Sequence, residues 1–286
     1  MDIATARTFM EIVRTGSFVN AAAALNLTQT AVSARIRVLE EQLGHQLFVR
    51  SKSGASLTLA GERFQRFASD MVFAWDNARR SLASPAGSTT VIALGFEASL
   101  WNPLAAHWLH GMRQTHPDFA LRVRIGPATT LVVQVAEGTL DAAVVYGAPQ
   151  QPGLAAELLM EERLVLVRTG PEIAPLDPAS HVAIDWGADF DARFRAAFPD
   201  FGEPMVAISY GPLALDHLLA HGGSAWFRRG FLRPWLIRGA LQLVPDMPEF
   251  PYPAHLVHGA RLPDGVMACL REGLRAAAGA TLGETL

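Results

Sequence analysis

Apolar and polar residues follow two different rhythms along this 286-residue chain, and the change comes between residues 82 and 90. Up to residue 82 the apolar positions recur at three- and four-residue steps, the spacing of helices buried along one face. Ile3, Phe9, Ile12 and Val13 form such a stripe over residues 2–15. Ser17 stands where a cap would open a short helix through Val19, Ala21, Ala22, Ala23, Ala24 and Leu25, whose small side chains let a second helix approach closely. Asn26-Leu27 interrupts the pattern. Thr28 is placed to cap the next helix, in which Ala31, Val32, Ile36, Leu39 and Leu43 make one buried stripe. A glycine, Gly44, and a small basic hairpin through Arg50 and Lys52 follow. From about Ala60 to Leu82, the positions Phe64, Phe67, Met71, Ala74 or Trp75, Ala78 and Leu82 repeat at heptad-like steps. That stripe is too large for an isolated helix, so it predicts a partner, either the chain's own body or a second copy.

Ser84-Pro85-Ala86-Gly87-Ser88 ends all periodicity and reads as a hinge. Beyond it, short β runs alternate with helices, which predicts an α/β body. The expected strands are 91–96, 120–125, 142–146, 164–168, 182–185, 206–209, 225–227, 241–244 and 254–257. The expected helices are 101–114, 131–137, 190–198, 213–220 and 263–277.

The second short helix carries candidate chemistry. Gln29, Thr30, Ser33, Ala34, Arg35 and Arg37 fall largely off its apolar stripe and cluster in its first turns. That is the part of a recognition helix that reaches base edges in the major groove. Glutamine can read adenine through a bidentate pair, and arginine can read guanine or clamp phosphate. Hydroxyls and helix N-terminal amides suit phosphate oxygens. The pattern alone also admits an amphipathic hairpin in an all-α core, its charges merely solvated.

Phe9, Gly16, Ser17, Phe18, Ala21, Ala22, Leu25, Thr28, Gln29, Ala31, Val32, Ser33, Ile36, Leu39, Glu40, Leu43, Gly44, Leu47, Phe48 and Arg50 together resemble the winged helix-turn-helix of LysR-type transcriptional regulators. Leu57-Thr58-Leu59-Ala60-Gly61-Glu62 resembles that family's exit from the wing. Later segments, Ala98 to Trp101, Asp185 to Phe190 and Gly222 to Trp226, resemble the HdfR-like subgroup. The resemblance spans nearly the whole chain and weakens after Gly87.

It implies an N-terminal all-α winged helix-turn-helix, a linker helix and a C-terminal α/β effector domain of two Rossmann-like subdomains, as in periplasmic binding proteins. The corresponding division is 1–59 for DNA binding, 60–84 for the linker and dimerisation helix, 85–89 for the hinge and 90–286 for the effector domain. Within the last, 90–166 with 248–286 form one subdomain and 167–247 the other, with crossings near Val167 and Pro248. Double-stranded DNA, a second copy in a homodimer or homotetramer, and RNA polymerase are the partners implied. Gln29 and Thr30 become the expected base readers, with Ala34 and Arg35 at the edge. Thr28, Ser33, Arg37, Arg50 and Lys52 are the expected phosphate contacts. Ala34 is a departure, since many relatives carry arginine there.

A two-lobed α/β domain holds its ligand at the carboxyl ends of strands and amino ends of helices. That rule selects Ser99, Leu100 and Trp101 after the first strand, Thr129 and Thr130 at a helix start, Tyr146 at a strand end, and Ser209 with Tyr210. Hydroxyls beside helix amides favour a small anionic or carboxylate-bearing effector. Ser99 and Thr130 equally suit plain helix caps. Trp226-Phe227-Arg228-Arg229-Gly230 departs from the Leu-Pro that many relatives place there, and Trp101 brings a bulky ring close to the expected cleft. Asp185-Trp186-Gly187 is read as lining the same space or as core.

Composition narrows these readings. Half of the residues are hydrophobic, and the net charge is only −3. Residues 1–90 hold ten Lys+Arg against seven Asp+Glu, whereas the rest holds 14 against 20, so a mildly basic head precedes an acidic body. Cys269 is the only cysteine, which excludes an intramolecular disulfide and fits a reducing compartment, with a buried thiol as its expected state. Neither a signal peptide nor a membrane-spanning run is apparent, so a cytoplasmic location without a membrane partner is expected. No nucleophile elbow, phosphate-binding loop or H-E-x-x-H motif occurs, and the histidines at 107, 110 and 116 lack the carboxylate or thiol that would complete a metal set. The expectation is a protein that is not an enzyme and has no cofactor or metal, responding to an unknown small molecule. A ligand-independent repressor of the same fold and a cytoplasmic small-molecule-binding protein are the alternatives.

Overall fold

Helix starts in the first 60 residues are set by side-chain caps. The Asp2 carboxylate accepts the Thr5 N–H and opens α1 (Ile3–Thr15), which ends at Gly16 with φ 63°. Ser17 caps α2 (Phe18–Ala24) by accepting the Asn20 N–H. Thr28 caps α3 (Gln29–Leu43) by accepting the Ala31 N–H, and Gly44 terminates it at φ 69°. The predicted caps are therefore found in place. An antiparallel hairpin follows, β1 (Phe48–Ser51) and β2 (Gly54–Leu57), with Phe48 opposite Leu57. It leads into the 24-residue α4 (Leu59–Leu82).

The computed structural model describes residues 2–51, 54–82, 88–170, 176–259 and 262–283. Lys52 and hinge residues 84–87 lie outside them. The chain divides into two compact units, residues 1–91 with 137–139, and 92–136 with 140–286.

In the first unit Phe9 anchors the core, 5.0 Å from both Phe48 and Phe64 between ring centres. Ala6, Ile12, Ala21, Val32, Ile36, Leu39 and Leu47 are buried around it. The single apolar stripe expected on α4 is only partly buried. Phe64, Ala68 and Val72 pack into this core, and Asp76 pairs with Arg7 of α1. Phe67, Trp75 and Leu82 are 62%, 49% and 89% exposed. Phe67 is turned about 60° from Phe64, away from Ala68 and Val72, whereas Trp75 and Leu82 return to within about 20° of Phe64 and are exposed farther along the helix.

From residue 90 strands and helices follow in the predicted order, some with wider bounds and others, among them β7, β8 and β10, with narrower ones. In order they are β3 (Thr90–Glu97), α5 (Ala106–Thr115), β4 (Phe119–Gly126), α6 (Ala128–Glu137), β5 (Ala142–Tyr146) and β6 (Ala155–Arg168). Then come β7 (Val182–Ile184), α7 (Ala188–Ala197), β8 (Val206–Ile208), α8 (Gly211–His221), β9 (Ser224–Arg228), α9 (Arg229–Ile237), β10 (Gln242–Leu243), β11 (Phe250–His258) and α10 (Asp264–Leu282). The main sheet has the order β10-β6-β11-β5-β3-β4, with β9 also paired to β6. β3 and β5 are parallel, β11 is antiparallel to β5 and β6, and β7 pairs in parallel with β8 in a separate sheet.

Two large cores serve two lobes. Leu94, Phe96, Leu100, Trp108, Leu256 and Leu270 belong to the first, and Leu164, Leu166, Trp186, Trp226, Phe227 and Phe250 to the second. β6 and β11 run through both. Met160 and Ala254 pack in the first core, Leu164 and Phe250 in the second. The change of lobe thus falls inside the two strands, a few residues away from Val167 and Pro248. Three expectations fail locally. The helix expected over 101–114 is replaced by tight turns through residue 105 ahead of α5, with Asn102 in a non-helical conformation immediately before Pro103. β6 is 14 residues long, not five. α9 is absent from the expected helices, because Pro234 inside it breaks the helical signal. Among the described residues, no helix is long and apolar enough to cross a membrane.

Candidate nucleic-acid interface and effector cleft

The start of α3 is open to solvent. Thr28, Gln29, Thr30, Ala34 and Arg37 are exposed and Ser33 is half-buried, while Val32, Ile36 and Leu39 hold the opposite side in the core. Thr28 uses its oxygen as the cap, which leaves its O–H free to donate. Arg37 stands 3.7 Å from Glu41 one turn on, an exposed pair that water and salt weaken. Arg35 is set apart from this group. Half-buried, it donates to Thr8 Oγ1 of α1 at 3.3 Å, so it braces the helix pair from behind. Its place on the buried side follows from the 3.6-residue period, which turns position 35 away from 29, 30, 33, 34 and 37.

The hairpin stands beside α3. Arg50 on β1 lies 3.9 Å above the Phe18 ring and reaches Ser33 Oγ at 3.4 Å. Its guanidinium is thereby held next to the first turns of α3 while remaining exposed. Gln29, Thr30, Ser33, Ala34, Arg37 and Arg50 thus form one continuous edge with cationic ends. Such an edge can take base edges at its centre and phosphates at its flanks.

In the second unit, the loop after β3 does not use Ser99 as a cap, since the turn over residues 98–100 has no side-chain cap. α6 starts on the Pro127 carbonyl, which accepts the Leu131 N–H. Among the described residues, the hydroxyls of Ser99, Thr129 and Thr130 take no part in a hydrogen bond, so the cap reading of Ser99 and Thr130 fails. Leu100 is wholly buried in the first core, so its side chain does not line a cleft, contrary to the sequence reading. Trp101 is exposed and shares no core. Trp186 is core, with its indole N–H donated to the Trp226 carbonyl at 2.9 Å. Ser209 and Tyr210 are exposed after β8.

Between the lobes of this unit lies a charged cluster of whose side chains the sequence rule selects only Tyr146. Arg228 ends β9 and is 3% exposed. It pairs with the fully buried Glu162 of β6 at 3.4 Å, and its other nitrogen donates to the carbonyls of Ser99 and Asn102. The Tyr146 hydroxyl donates to Glu162 at 2.8 Å, and the Tyr146 N–H donates to Glu97 at 2.7 Å. Tyr252 of β11 stacks on Tyr146 with 3.9 Å between ring centres. Burial raises the Glu97 carboxyl above its ordinary range, against the lowering effect of the Tyr146 N–H and of Arg228. Burial likewise pushes the Tyr146 and Tyr252 hydroxyls well up, so both stay neutral. Arg228 is visible in the sequence only as a departure from the family pattern, and Glu162 gives no local signal.

Other candidate groups resolve simply. Asp141 accepts the Ala93 N–H at 2.7 Å and fixes the start of β5. Cys269 is half-buried on α10, whereas the sequence reading takes a buried thiol as its default. His110 contacts Gln114 and His107 contacts Thr281. Among the described residues, no three His, Cys, Asp or Glu side chains converge as a metal site would require.

Two family models match this chain. Residues 3–62 match the bacterial regulatory helix-turn-helix protein of the lysR family, and residues 85–279 match the LysR substrate binding domain. The transcriptional regulator HdfR of Escherichia fergusonii is 31% identical over 260 residues, covering 90% of this chain and 91% of that protein. Full-length LysG of Corynebacterium glutamicum, solved with arginine as bound effector, superposes with a TM-score of 0.63 at 21% identity, covering 97% of this chain and 98% of that one. Full-length CbnR, solved with its target DNA, superposes with a TM-score of 0.51 at 19% identity over 97% of this chain and all of the other.

Proposed function

Since the chain belongs to the LysR family of DNA-binding transcriptional regulators and is similar to HdfR, we propose that it reads its operator with Gln29 and Thr30 and grips phosphates with Thr28, Ser33, Arg37, Arg50 and Lys52. The observation that carries this is the exposed edge of α3 with Arg50 held against Ser33. Ala34 adds an apolar contact at the rim. Arg35, committed to Thr8, is a brace and not a reader. CbnR, solved with target DNA, has the same fold. Arg50→Ala is expected to weaken binding to every duplex and to flatten the log–log salt dependence by about 0.9, the share of a single neutralised phosphate. Titrations at several salt concentrations check this, and an unchanged slope removes the wing from the interface.

The exposed face of α4 supports a homodimer, or a homotetramer built from two of them. The second unit is proposed to bind a small carboxylate-bearing effector between its lobes at Ser99, Thr129, Thr130, Ser209 and Tyr210. The uncommitted hydroxyls beside helix starts support it. LysG, which has this fold, was solved with arginine bound. A regulator that needs no ligand is the second reading, favoured by Arg228, whose guanidinium already spans from β9 to the Ser99 and Asn102 carbonyls. Thermal unfolding against a panel of amino acids and carboxylic acids separates the two. A rise in Tm that Ser99→Ala abolishes supports the effector site, and an unresponsive protein supports the second reading. RNA polymerase is a further proposed partner and the cytoplasm the proposed place of work, both tested by co-purification from cells.

A further inference from the structure

The wing is useful for binding only if its position relative to α3 is fixed; Ser33 of α3 meets the Arg50 side chain, and a second side chain on α3 holds the wing's backbone. Glu40 lies in the last turn of that helix, where the negative end of the helix dipole disfavours a carboxylate. A single oxygen, Oε1, accepts the N–H of Leu47 at 2.7 Å and the N–H of Phe48 at 3.2 Å. Those are the two amides that lead into β1. The other strand and the residue after it are held mostly through backbone: Ala55 N–H donates to Gly16 O at 2.8 Å, Thr58 N–H to Leu47 O at 2.9 Å, and the Thr58 hydroxyl to Gln46 O at 2.7 Å. Of these ties, the pair made by Glu40 is the one that runs from the recognition helix itself to the strand carrying Arg50.

We propose that Glu40 is a positioning residue for DNA binding: it sets the distance between the base-reading turns of α3 and the Arg50 of the wing, so that both engage one duplex together. Glu40 itself makes no contact with DNA. It acts through β1, and the proposal therefore rests on the reading of Arg50 as a phosphate contact. Because one oxygen accepts both amides, a glutamine keeps the geometry and an alanine loses it.

The test measures salt dependence on a non-specific 30-base-pair duplex, and base preference on duplexes selected by the native protein, for Glu40→Ala, Glu40→Gln, Arg50→Ala and the Glu40→Ala/Arg50→Ala pair. Glu40→Ala is expected to flatten the salt slope as Arg50→Ala does, by about 0.9, while the preference at the base pair read by Gln29 is kept. The double variant is expected to be no flatter than either single one, and Glu40→Gln to behave as native. Where Glu40→Ala does not fold, Glu40→Asp, which withdraws the acceptor by one methylene, takes its place. A native slope in Glu40→Ala with a flattened one in Arg50→Ala overturns the role of Glu40 alone. Additive effects in the double variant, or a Glu40→Gln as impaired as Glu40→Ala, overturn it too. A native slope in Arg50→Ala removes the wing reading itself.

Discussion

Arg228 shows how much of this molecule depends on single buried charges. Its partner Glu162 stands 66 positions away in sequence, and both side chains are out of water. Removing one partner strands the other, which costs about 3–5 kcal/mol, whereas replacing both by apolar residues is often neutral. Arg228→Met should therefore lower the unfolding free energy strongly, and Arg228→Met/Glu162→Leu should recover much of it in urea titrations. His181 gives a second residue-scale outcome. Buried against Phe194, Phe201 and Trp226, it has its pKa lowered by desolvation to about 4, against a smaller opposing effect from Ser224. A lowered folded pKa means that stability is fully present above the unfolded value near 6.5 and is lost as pH falls toward 4. The swing is on the order of 3 kcal/mol, and His181→Phe should flatten that limb of a Tm-against-pH curve. Gln29→Ala should relax preference at one base pair by about 1–3 kcal/mol without weakening the other positions, as read in competition binding. Of these three residues only Gln29 has its proposed role legible in the sequence. Its role belongs to a local motif, whereas Arg228 and His181 take theirs from neighbours that the fold brings in from far along the chain.

At the scale of elements, α4 is the instructive case. The sequence stripe through Phe64, Phe67, Met71, Trp75 and Leu82 is a sign of burial, but periodicity does not tell two partners from one. The structure packs Phe64, Ala68 and Val72 into the head and leaves Phe67, Trp75 and Leu82 exposed, the last two farther along the helix. Phe67→Glu combined with Trp75→Glu should dissociate the oligomer while leaving the head folded, since neither side chain is buried in its core. Light scattering on the eluting protein, with circular dichroism to confirm the helix, checks both halves. The converse holds at α9, where Pro234 hides a helix whose Phe231 and Leu232 are buried in the second core. β6 is legible only over its apolar end, because its stretch from 155 to 163 carries Glu157, Glu161 and Glu162 among apolar residues and has no strand-like alternation of residue types.

For the whole molecule, the order of a helical head, a long helix and an α/β body is legible because each part writes its own period into the sequence. Where the lobes exchange is not legible: the transfer occurs inside β6 and β11, and nothing in a continuous strand marks where one core gives way to the next. The length of α4 has a consequence for the DNA. Twenty-four residues of helix measure about 36 Å, close to the roughly 34–36 Å that separates equivalent grooves one turn apart on a duplex. Two copies of α4 laid antiparallel through the exposed Phe67, Trp75 and Leu82 would carry a head at each end, and the pair becomes a ruler. Its operator should then hold two inverted elements with centres about 10 base pairs apart. Inserting about five base pairs between them would rotate one element to the far side of the duplex, and binding should fall to that of a single head. Inserting a full turn would restore the phase but exceed the span, so affinity should stay low, which distinguishes a stiff gauge from two heads on slack tethers.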